Sequence, residues 1–304
     1  MHVAITGSSG LVGSALQKQL SGGDYRIARM VRREATGDNE IRWDPNGEKT
    51  DTAALDGVDG VVHLAGENIA AGRWTEKLKQ KIRDSRVPPT RKLCEDLAHL
   101  EKKPSVLVCA SAIGYYGEAG DTILDESSPA GEGFLSETVK EWEAATQPAI
   151  DAGIRVVNLR IGVILSPDGG ALKQMLTPFK LGVGGRVGSG KQYWSWVALD
   201  DIVGAIEFAL THDELSGPVN GTSPNPVTNT EFTKVLGKVL GRPTIFPMPA
   251  FAARLALGEM ADELLLTSSR IVPKKLEAAG YQFQYPDLEM ALRHLLNKPA
   301  SDAA

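Results

Sequence analysis

The stretch that decides the fold is His2-Val3-Ala4-Ile5-Thr6-Gly7-Ser8-Ser9-Gly10-Leu11-Val12-Gly13. Its first half predicts a buried strand, and its glycines follow a G-x-x-G-x-x-G spacing where a helical pattern begins. Gly7 allows a tight turn out of the strand, Gly10 lets the backbone approach a diphosphate, and Gly13 lets the helix pack closely on the sheet. Three glycines can also form an ordinary loop. Because a strand precedes them and a helix follows over residues 11–20, the pattern predicts a dinucleotide site.

The predicted site therefore comprises Thr6, Gly7, Gly10, Leu11, Val12 and Gly13, and the residues after the second predicted strand indicate which dinucleotide binds. That strand covers residues 25–31 and is followed by Arg32 and Arg33, where an NAD-preferring site usually has a carboxylate. A guanidinium suits a 2′-phosphate, which a carboxylate would repel. The alternative is that both arginines belong to a solvated turn, and Glu34 is the residue that opposes phosphate binding. The position favours NADP(H) as the cofactor.

Composition and charge are those of an ordinary globular enzyme. The chain has 304 residues, a formal net charge of −5 and no polybasic run, so neither nucleic acid nor a membrane surface is an expected partner. The first strand starts at once, so no signal peptide is expected, and no apolar run is long enough to span a bilayer. Cys94 and Cys109 have no metal-binding spacing and are expected to be buried thiols in a reducing compartment. The expected location is the cytoplasm.

Alternating strand and helix signals continue along the chain and predict an α/β fold. The predicted architecture is a doubly wound, Rossmann-type parallel sheet with a smaller, mostly helical C-terminal substrate lobe. Residues 1–165 are expected to form the dinucleotide-binding domain, to which residues 191–215 return. Residues 166–190 and 216–300, where glycine and proline are frequent, are expected to form the lobe, and residues 301–304 a tail.

Several motifs together resemble the extended short-chain dehydrogenases/reductases, and more narrowly an atypical, epimerase-like subfamily. The broader resemblance rests on the glycine turn, His63-Leu64-Ala65-Gly66, Ser111 at a strand end, Asn158-Leu159-Arg160 and Trp196-Val197-x-x-Asp200-Asp201. The narrower one rests on Glu67-Asn68-Ile69, Arg73-Trp74, Gly114-Tyr115-Tyr116-Gly117, Lys140-Glu141-Trp142-Glu143 and Gly280-Tyr281-x-Phe283-x-Tyr285-Pro286. The resemblance implies NADP(H) and a small-molecule substrate. Because many relatives pair through helices of the sheet domain, it leaves a homodimer open.

The chain departs from the broader family at the catalytic pair. These enzymes use Tyr-x-x-x-Lys, one helical turn apart, where the lysine lowers the tyrosine pKa from about 10. None of the six tyrosines here has a lysine four residues later. On the predicted helix of residues 134–152, Lys140 is preceded at that spacing by Ser136, and the alternative alignment gives Leu135 and Val139.

The remaining candidates follow from predicted strand ends and from the resemblance. Ser111, Tyr116 and Lys140 are the catalytic candidates, although Tyr116 can equally be a half-buried loop aromatic and Lys140 a surface cation. Just past a strand end, Glu67 and Asn68 are candidates for substrate contact, with helix capping as the alternative for Asn68. Further cofactor contacts are expected from Leu64, Ala65, Gly66, Arg86 and Arg160. No Cys/His cluster suggests a metal.

Two functions from different classes remain open at this point. The first is an NADP(H)-dependent oxidoreductase or epimerase acting on a small carbonyl, hydroxyl or nucleotide-sugar compound, with another group moving the proton. The second is a non-catalytic NADPH sensor or scaffold that regulates a protein partner. The missing tyrosine favours the second, and the polar residues near the predicted cleft favour the first.

Overall fold

The computed structural model describes residues 1–45, 47 and 50–299. The tail predicted for residues 301–304, and residue 300 of the predicted lobe, lie outside the described residues. The strands are β1 His2–Thr6, β2 Arg26–Val31, β3 Glu40–Arg42, β4 Gly60–His63, β5 Val106–Ala112, β6 Ile123–Leu124, β7 Arg155–Ile161, β8 Val163–Leu165, β9 Tyr193–Trp194, β10 Trp196–Ala198, β11 Gly217–Gly221, β12 Val227–Thr228 and β13 Arg270–Ile271.

Thirteen α-helices are found in these residues, with a 3₁₀ turn at Ile113–Tyr116 and a π-helix at Asp262–Leu266. The α-helices are α1 Leu11–Leu20, α2 Thr52–Leu55, α3 Glu76–Asp84, α4 Val87–Ala98, α5 Phe134–Ala144, α6 Gln147–Asp151, α7 Gly170–Lys180, α8 Leu199–Thr211, α9 Asn229–Leu240, α10 Ala250–Leu257, α11 Glu259–Ala261, α12 Lys274–Ala278 and α13 Leu288–Leu295. No helix within the described part of the chain is long and apolar enough to cross a bilayer.

Seven strands form one parallel sheet in the order β11-β7-β5-β4-β1-β2-β3, so the predicted fold class is confirmed. The chain runs outward from β1 through β2 to β3 and then returns to the other side of β1 with β4. The order of the strands therefore reverses between β1 and β4, and the crevice at their carboxyl ends is where ligands bind in such sheets.

Helices cover both faces of the sheet because successive side chains of its strands point to opposite sides. Val3 and Ile5 of β1 belong to a buried cluster with Leu16 of α1 and Ile206 of α8. Ala4, between them, belongs to the opposite cluster with residues of α4. Burying one such aliphatic side chain contributes ~1.5–3 kcal/mol, so the two clusters hold β1 and its glycine turn at the centre of the molecule. Cys94 and Cys109 are buried, unpaired thiols in the second cluster.

A third core lies outside the large sheet, among α7, α9, α13 and the short strands β8–β10. Two of these helices, α7 and α9, are absent from the sequence-based prediction. The predicted lobe was also given residues 216–300, whereas Gly217–Gly221 is an edge strand of the large sheet, hydrogen-bonded to β7. The division into two domains otherwise stays a prediction.

Two carboxylates, one buried and one half-buried, join the C-terminal segment to the rest of the molecule. Asp201, at the start of α8, accepts hydrogen bonds from the backbone N–H groups of Gln284 (2.6 Å) and Tyr285 (3.0 Å). Glu263, in the π-helix, lies beside the backbone N–H groups of Phe134 and Leu135 at the start of α5, and burial raises the pKa of its carboxyl group. Helix α5 has no side-chain cap of its own. The C-terminal segment therefore completes a helix of the sheet domain.

Candidate functional site: a dinucleotide cleft beside a buried polar network

The glycine turn has the geometry that its spacing predicts. Gly7 has φ of +64°, and a Cβ there would lie 2.7 Å from the backbone carbonyl carbon of Leu64. A Cβ on Gly13 would lie 2.3 Å from the carbonyl oxygen of Gly7, so both positions exclude any larger residue. Gly10 is less restricted, since its nearest contact would be 3.2 Å.

The N-terminus of α1 is suited to an anion. Its first turn has no acidic residue, and no side chain in the described part of the chain caps it. The N–H groups of Leu11, Val12 and Gly13 lie in the first turn, where an α-helix supplies no carbonyl acceptor. Together with the helix dipole, such groups bind phosphate. The turn therefore fits the diphosphate of a dinucleotide.

Thr6, predicted to contact the cofactor, instead has a structural role. Its hydroxyl is completely buried, accepts hydrogen bonds from the N–H groups of Leu64 (3.0 Å) and Ala65 (3.3 Å), and lies 2.8 Å from Nδ1 of His63. His63 is fully buried, and burial lowers its pKa to about 4. The hydroxyl thereby ties the turn after β4 to the end of β1, and so positions Leu64, Ala65 and Gly66 at the cleft.

The two arginines after β2 have different environments. Arg33 makes a bidentate ion pair with Glu40 (2.7 and 2.6 Å), which holds the pKa of that carboxyl at about 2. Glu34, the residue that opposes phosphate binding, instead pairs with Arg42. Arg32 is exposed and, among the described residues, has no hydrogen-bond or ion-pair partner. The guanidinium left available to a 2′-phosphate is therefore that of Arg32.

Arg86 packs against the turn after β4 and stabilises it. Its guanidinium donates to the carbonyl oxygens of Glu67 (2.9 Å) and Ile82 (3.0 Å), and burial lowers its pKa to about 10. Glu67 pairs with Lys81 at 3.0 Å, and Asn68 accepts from the N–H of the residue two further on. Asn68 thus stabilises a local turn. It does not cap a helix, which was the alternative to substrate contact, because the next helix begins at Glu76 with Thr75 as its cap. The structure shows that Arg86 supports this turn, and its direct contact with the cofactor stays a prediction.

A buried polar network lies at the carboxyl ends of β5, β7 and β11. Ser111 donates to Glu143 (2.6 Å), and Arg160 grips the same carboxylate with two hydrogen bonds of 2.8 Å. Arg160 also donates to the Tyr116 hydroxyl (3.0 Å), which donates to Asn220 (2.8 Å). Burial lowers the pKa of the Arg160 guanidinium, but its hydrogen bonds and charge interaction with Glu143 outweigh burial, so the pKa is raised overall.

This network corrects two predictions. Tyr116 is only 2% exposed and its hydroxyl is engaged inside the protein, so it does not face a substrate, and burial raises its pKa. Arg160 is bound to Glu143 and stacked 3.4 Å from the ring of Tyr115, so it is not free to contact a cofactor. Both corrections have one physical reason. Arg160 is a cation at the end of a buried strand and requires a buried counter-ion, which is Glu143, and the Tyr116 hydroxyl accepts a further hydrogen bond from the same guanidinium.

Helix α5 does not place an acid–base pair at the cleft in either alignment. Leu135 and Val139 are apolar, and Val139 is buried. Ser136 is completely buried, with its hydroxyl 2.9 and 2.8 Å from two backbone carbonyl oxygens. Lys140 is half exposed and binds Glu137 on the same helix at 2.5 Å. The structure therefore does not bring Lys140 together with Ser111 and Tyr116.

Sequence reasoning missed Glu143 and Asn220, the two residues that join the network. The sequence signal was Arg160, because a charged residue in a predicted buried strand needs a counter-ion. The sequence did not indicate which residue supplies it. Across the described residues, no group of three or more His, Cys, Asp and Glu side chains is arranged to hold a metal ion.

Comparisons with known proteins agree with this geometry. The model of the NAD dependent epimerase/dehydratase family matches residues 3–220, and Domain of unknown function (DUF1731) matches residues 248–295. The chain therefore belongs to the NAD dependent epimerase/dehydratase family. It is 47% identical over 297 residues to Epimerase family protein Mb2239 of Mycobacterium bovis, with 98% of each chain covered. It is 33% identical to the human Epimerase family protein SDR39U1, covering 97% of this chain and all of that one, which confirms the resemblance.

Two solved structures resemble this chain over nearly its whole length. The crystal structure of human epimerase family protein SDR39U1 (isoform 2) with NADPH has a TM-score of 0.90 and 32% identity, and covers 98% of this chain and 100% of that one. A nucleoside-diphosphate sugar epimerase from Corynebacterium glutamicum has a TM-score of 0.82 and 39% identity, and this chain spans 59% of its length.

Proposed function

We propose that the protein binds NADP(H) in this cleft and acts as an oxidoreductase or epimerase on a small carbonyl, hydroxyl or nucleotide-sugar compound. The observation that supports the cofactor most directly is the glycine turn packed against Leu64, with uncapped N–H groups behind it. When bound, the cofactor supplies or accepts a hydride. The human relative crystallised with NADPH supports the same assignment.

Arg32 is the proposed contact to the 2′-phosphate. Its side chain is exposed just past the end of β2, whereas Arg33 is held by Glu40. Phosphate binding by Arg33 would require breaking that bidentate pair. The preference for NADP(H) over NAD(H) is therefore assigned to Arg32.

Ser111 is the proposed proton-handling group, because the usual tyrosine is missing from the sequence. Ser111 is almost as buried as Tyr116 (4% against 2% exposed), but its hydroxyl donates to Glu143 and accepts no hydrogen bond among the described residues, so its lone pairs are left to accept one from a substrate hydroxyl. Glu143 in turn is oriented by Arg160. In the oxidative direction, Ser111 would take the substrate proton as it passes its own proton to Glu143.

The cofactor assignment is tested by titrating the protein with NADPH and with NADH and measuring each dissociation constant by calorimetry. Arg32→Ala should weaken NADPH about tenfold or more, since a charge-assisted hydrogen bond contributes ~1.5–3 kcal/mol, and should leave NADH unchanged. The matched control is Arg26→Ala, an exposed cation at the start of the same strand. Equal weakening of both cofactors would remove the 2′-phosphate assignment, and no binding of either would overturn the proposed function.

The second candidate is a non-catalytic NADPH sensor. It is favoured by the positions of Tyr116 and Lys140, one buried and the other paired on the surface. Two assays distinguish the candidates: NADPH deuterated at the transferred position is offered with a panel of carbonyl compounds, and NADP+ is offered with nucleotide sugars, whose epimers are then sought. Deuterium in a reduced product, or an epimer, that is lost in Ser111→Ala supports the enzyme, whereas neither product together with tight cofactor binding supports the sensor.

A further inference from the structure

The C-terminal lobe has one surface on which large apolar side chains are exposed together. Leu181 and Val183 follow α7, and Ile245, Phe246 and Met248 precede α10. Phe251 and Leu255, one turn apart on α10, are 72% and 75% exposed. We call these seven side chains the apolar surface. Each of the seven is between 45% and 75% exposed, and large apolar side chains exposed together mark an interaction site.

The two segments that form the apolar surface are held rigidly together. The N–H of Gly188 donates to the carbonyl of Met248, and the N–H of Met248 donates to the carbonyl of Arg186, both at 2.8 Å. A Cβ on Gly185 would lie 1.9 Å from the carbonyl oxygen of Phe246, so the backbones are in close contact there. Beneath the helix, Ala253 is fully buried. The apolar side chains are therefore presented on a fixed framework.

The charged residues closest in sequence to the apolar surface are mostly cations. Residues 169–199 and 232–258, which include both segments and are bounded by Asp168, Asp200, Glu231 and Glu259, contain eight lysines and arginines. Two of the eight are paired: Arg254 with Asp262 and Lys238 with Glu289. Lys180, Arg186 and Arg242, which flank the exposed side chains, have no carboxylate partner in the described ranges. The surface is therefore cationic, although the chain has a net charge of −5.

We propose that the apolar surface docks on an anionic phospholipid bilayer. Apolar side chains surrounded by lysine and arginine are the chemistry that inserts at a lipid headgroup boundary, about 5–10 Å deep, without spanning the membrane. A second copy of this chain fits less well, because a two-fold contact would bring the same cations to face each other. The expectation of no membrane partner rested on the net charge and on the absence of a polybasic run, and neither reports cations that only the fold brings together.

Vesicle co-sedimentation tests the proposal. The full chain should bind phosphatidylcholine vesicles containing about a third phosphatidylglycerol, and should bind pure phosphatidylcholine at least tenfold more weakly. Phe251→Glu/Leu255→Glu should reduce binding at least tenfold, with Ile150→Glu on α6 as the matched control that leaves binding unchanged. Both sites are exposed, so an unchanged melting temperature will show that the variants are folded.

The charged part of the proposal has its own variants. Lys180→Gln/Arg242→Gln should lower binding to the anionic vesicles about thirtyfold, given the attraction of each cation to such a surface, whereas Lys18→Gln on α1 should not. Absence of binding by the full chain would overturn the proposal. So would equal binding to neutral vesicles, or a dimer in solution, seen by analytical ultracentrifugation, that Phe251→Glu/Leu255→Glu dissociates.

Discussion

Replacing Glu143 with leucine should strongly destabilise the fold, because it leaves a buried cation without its counter-ion. The Arg160 side chain is 3% exposed and that of Glu143 14%. The change removes two hydrogen bonds to the guanidinium and the acceptor of the Ser111 hydroxyl. Breaking a buried pair in this way costs about 3–5 kcal/mol. With an unfolding entropy of ~2.1 cal/mol/K per residue, the melting temperature should fall by about 5–8 °C.

The assay is urea unfolding at pH 7, followed by circular dichroism and by tryptophan fluorescence. The matched control is Glu141→Leu, two residues earlier on α5, where an exposed pair with Arg83 is lost. The control should cost less than ~1 kcal/mol. In Glu143→Leu/Arg160→Met, the loss should be smaller than the sum of the single losses by ~2 kcal/mol or more. If Glu143→Leu costs no more than the control, the network does not stabilise the fold as argued.

Three further predictions follow from the same contacts. Gly7→Ala should lower the free energy of unfolding by at least ~2 kcal/mol, because the position has φ of +64° and no room for a Cβ. It should also abolish the rise in melting temperature that NADPH produces. Gly72→Ala, with open space around it, should be neutral. The pKa of Glu40 is lowered from 4.5 to about 2 in the folded state. Its stabilising contribution is therefore present above about pH 4.5 and is lost as the pH falls towards 2. The wild type should melt at a higher temperature than Glu40→Gln above pH 4.5, and this difference should shrink as the pH falls to 2. Asp201→Asn should cost ~1–3 kcal/mol because one backbone N–H then faces an amide donor. The half-exposed neighbour provides the control, and Asp200→Asn should change the urea midpoint little.

The parts of the fold that the sequence predicts are those decided by local backbone sterics. Gly7 and Gly13 are required by contacts within the turn and with the adjacent strand end, so their spacing alone identifies the crossover. The alternation of strands and helices then leaves few topologies for the sheet. The proposal of Arg32 rather than Arg33 for the 2′-phosphate could not come from the sequence, because it depends on the pairing of Arg33 with Glu40, which comes from the neighbouring strand.

Edge strands and short helices escaped prediction for a compositional reason. Gly217–Gly221 contains glycine and proline and therefore indicates a turn, yet Pro218 is tolerated because β11 is the last strand of the sheet. Helix α7 has apolar residues Leu172, Leu176 and Phe179 at helical spacing, but Pro178 and the flanking glycines obscure it.

The polar network could not be predicted because its members meet only through tertiary packing. Glu143 lies on a helix and Arg160 in a strand, and their contact depends on how α5 packs against β5 and β7. Tyr115 and Tyr116 are chemically identical neighbours in a 3₁₀ turn, and no periodicity distinguishes the buried hydroxyl from the other. Assigning Tyr116 to the substrate side was therefore a choice between two residues that only the fold separates.

The position of Glu263 beside the start of α5 has a consequence for biosynthesis. The helix end that carries no cap of its own is made early, whereas the carboxylate that lies against it is made more than a hundred residues later. Until that carboxylate is made, water is the partner of these N–H groups. A chain that ends before the π-helix would therefore lack the group that covers the start of α5.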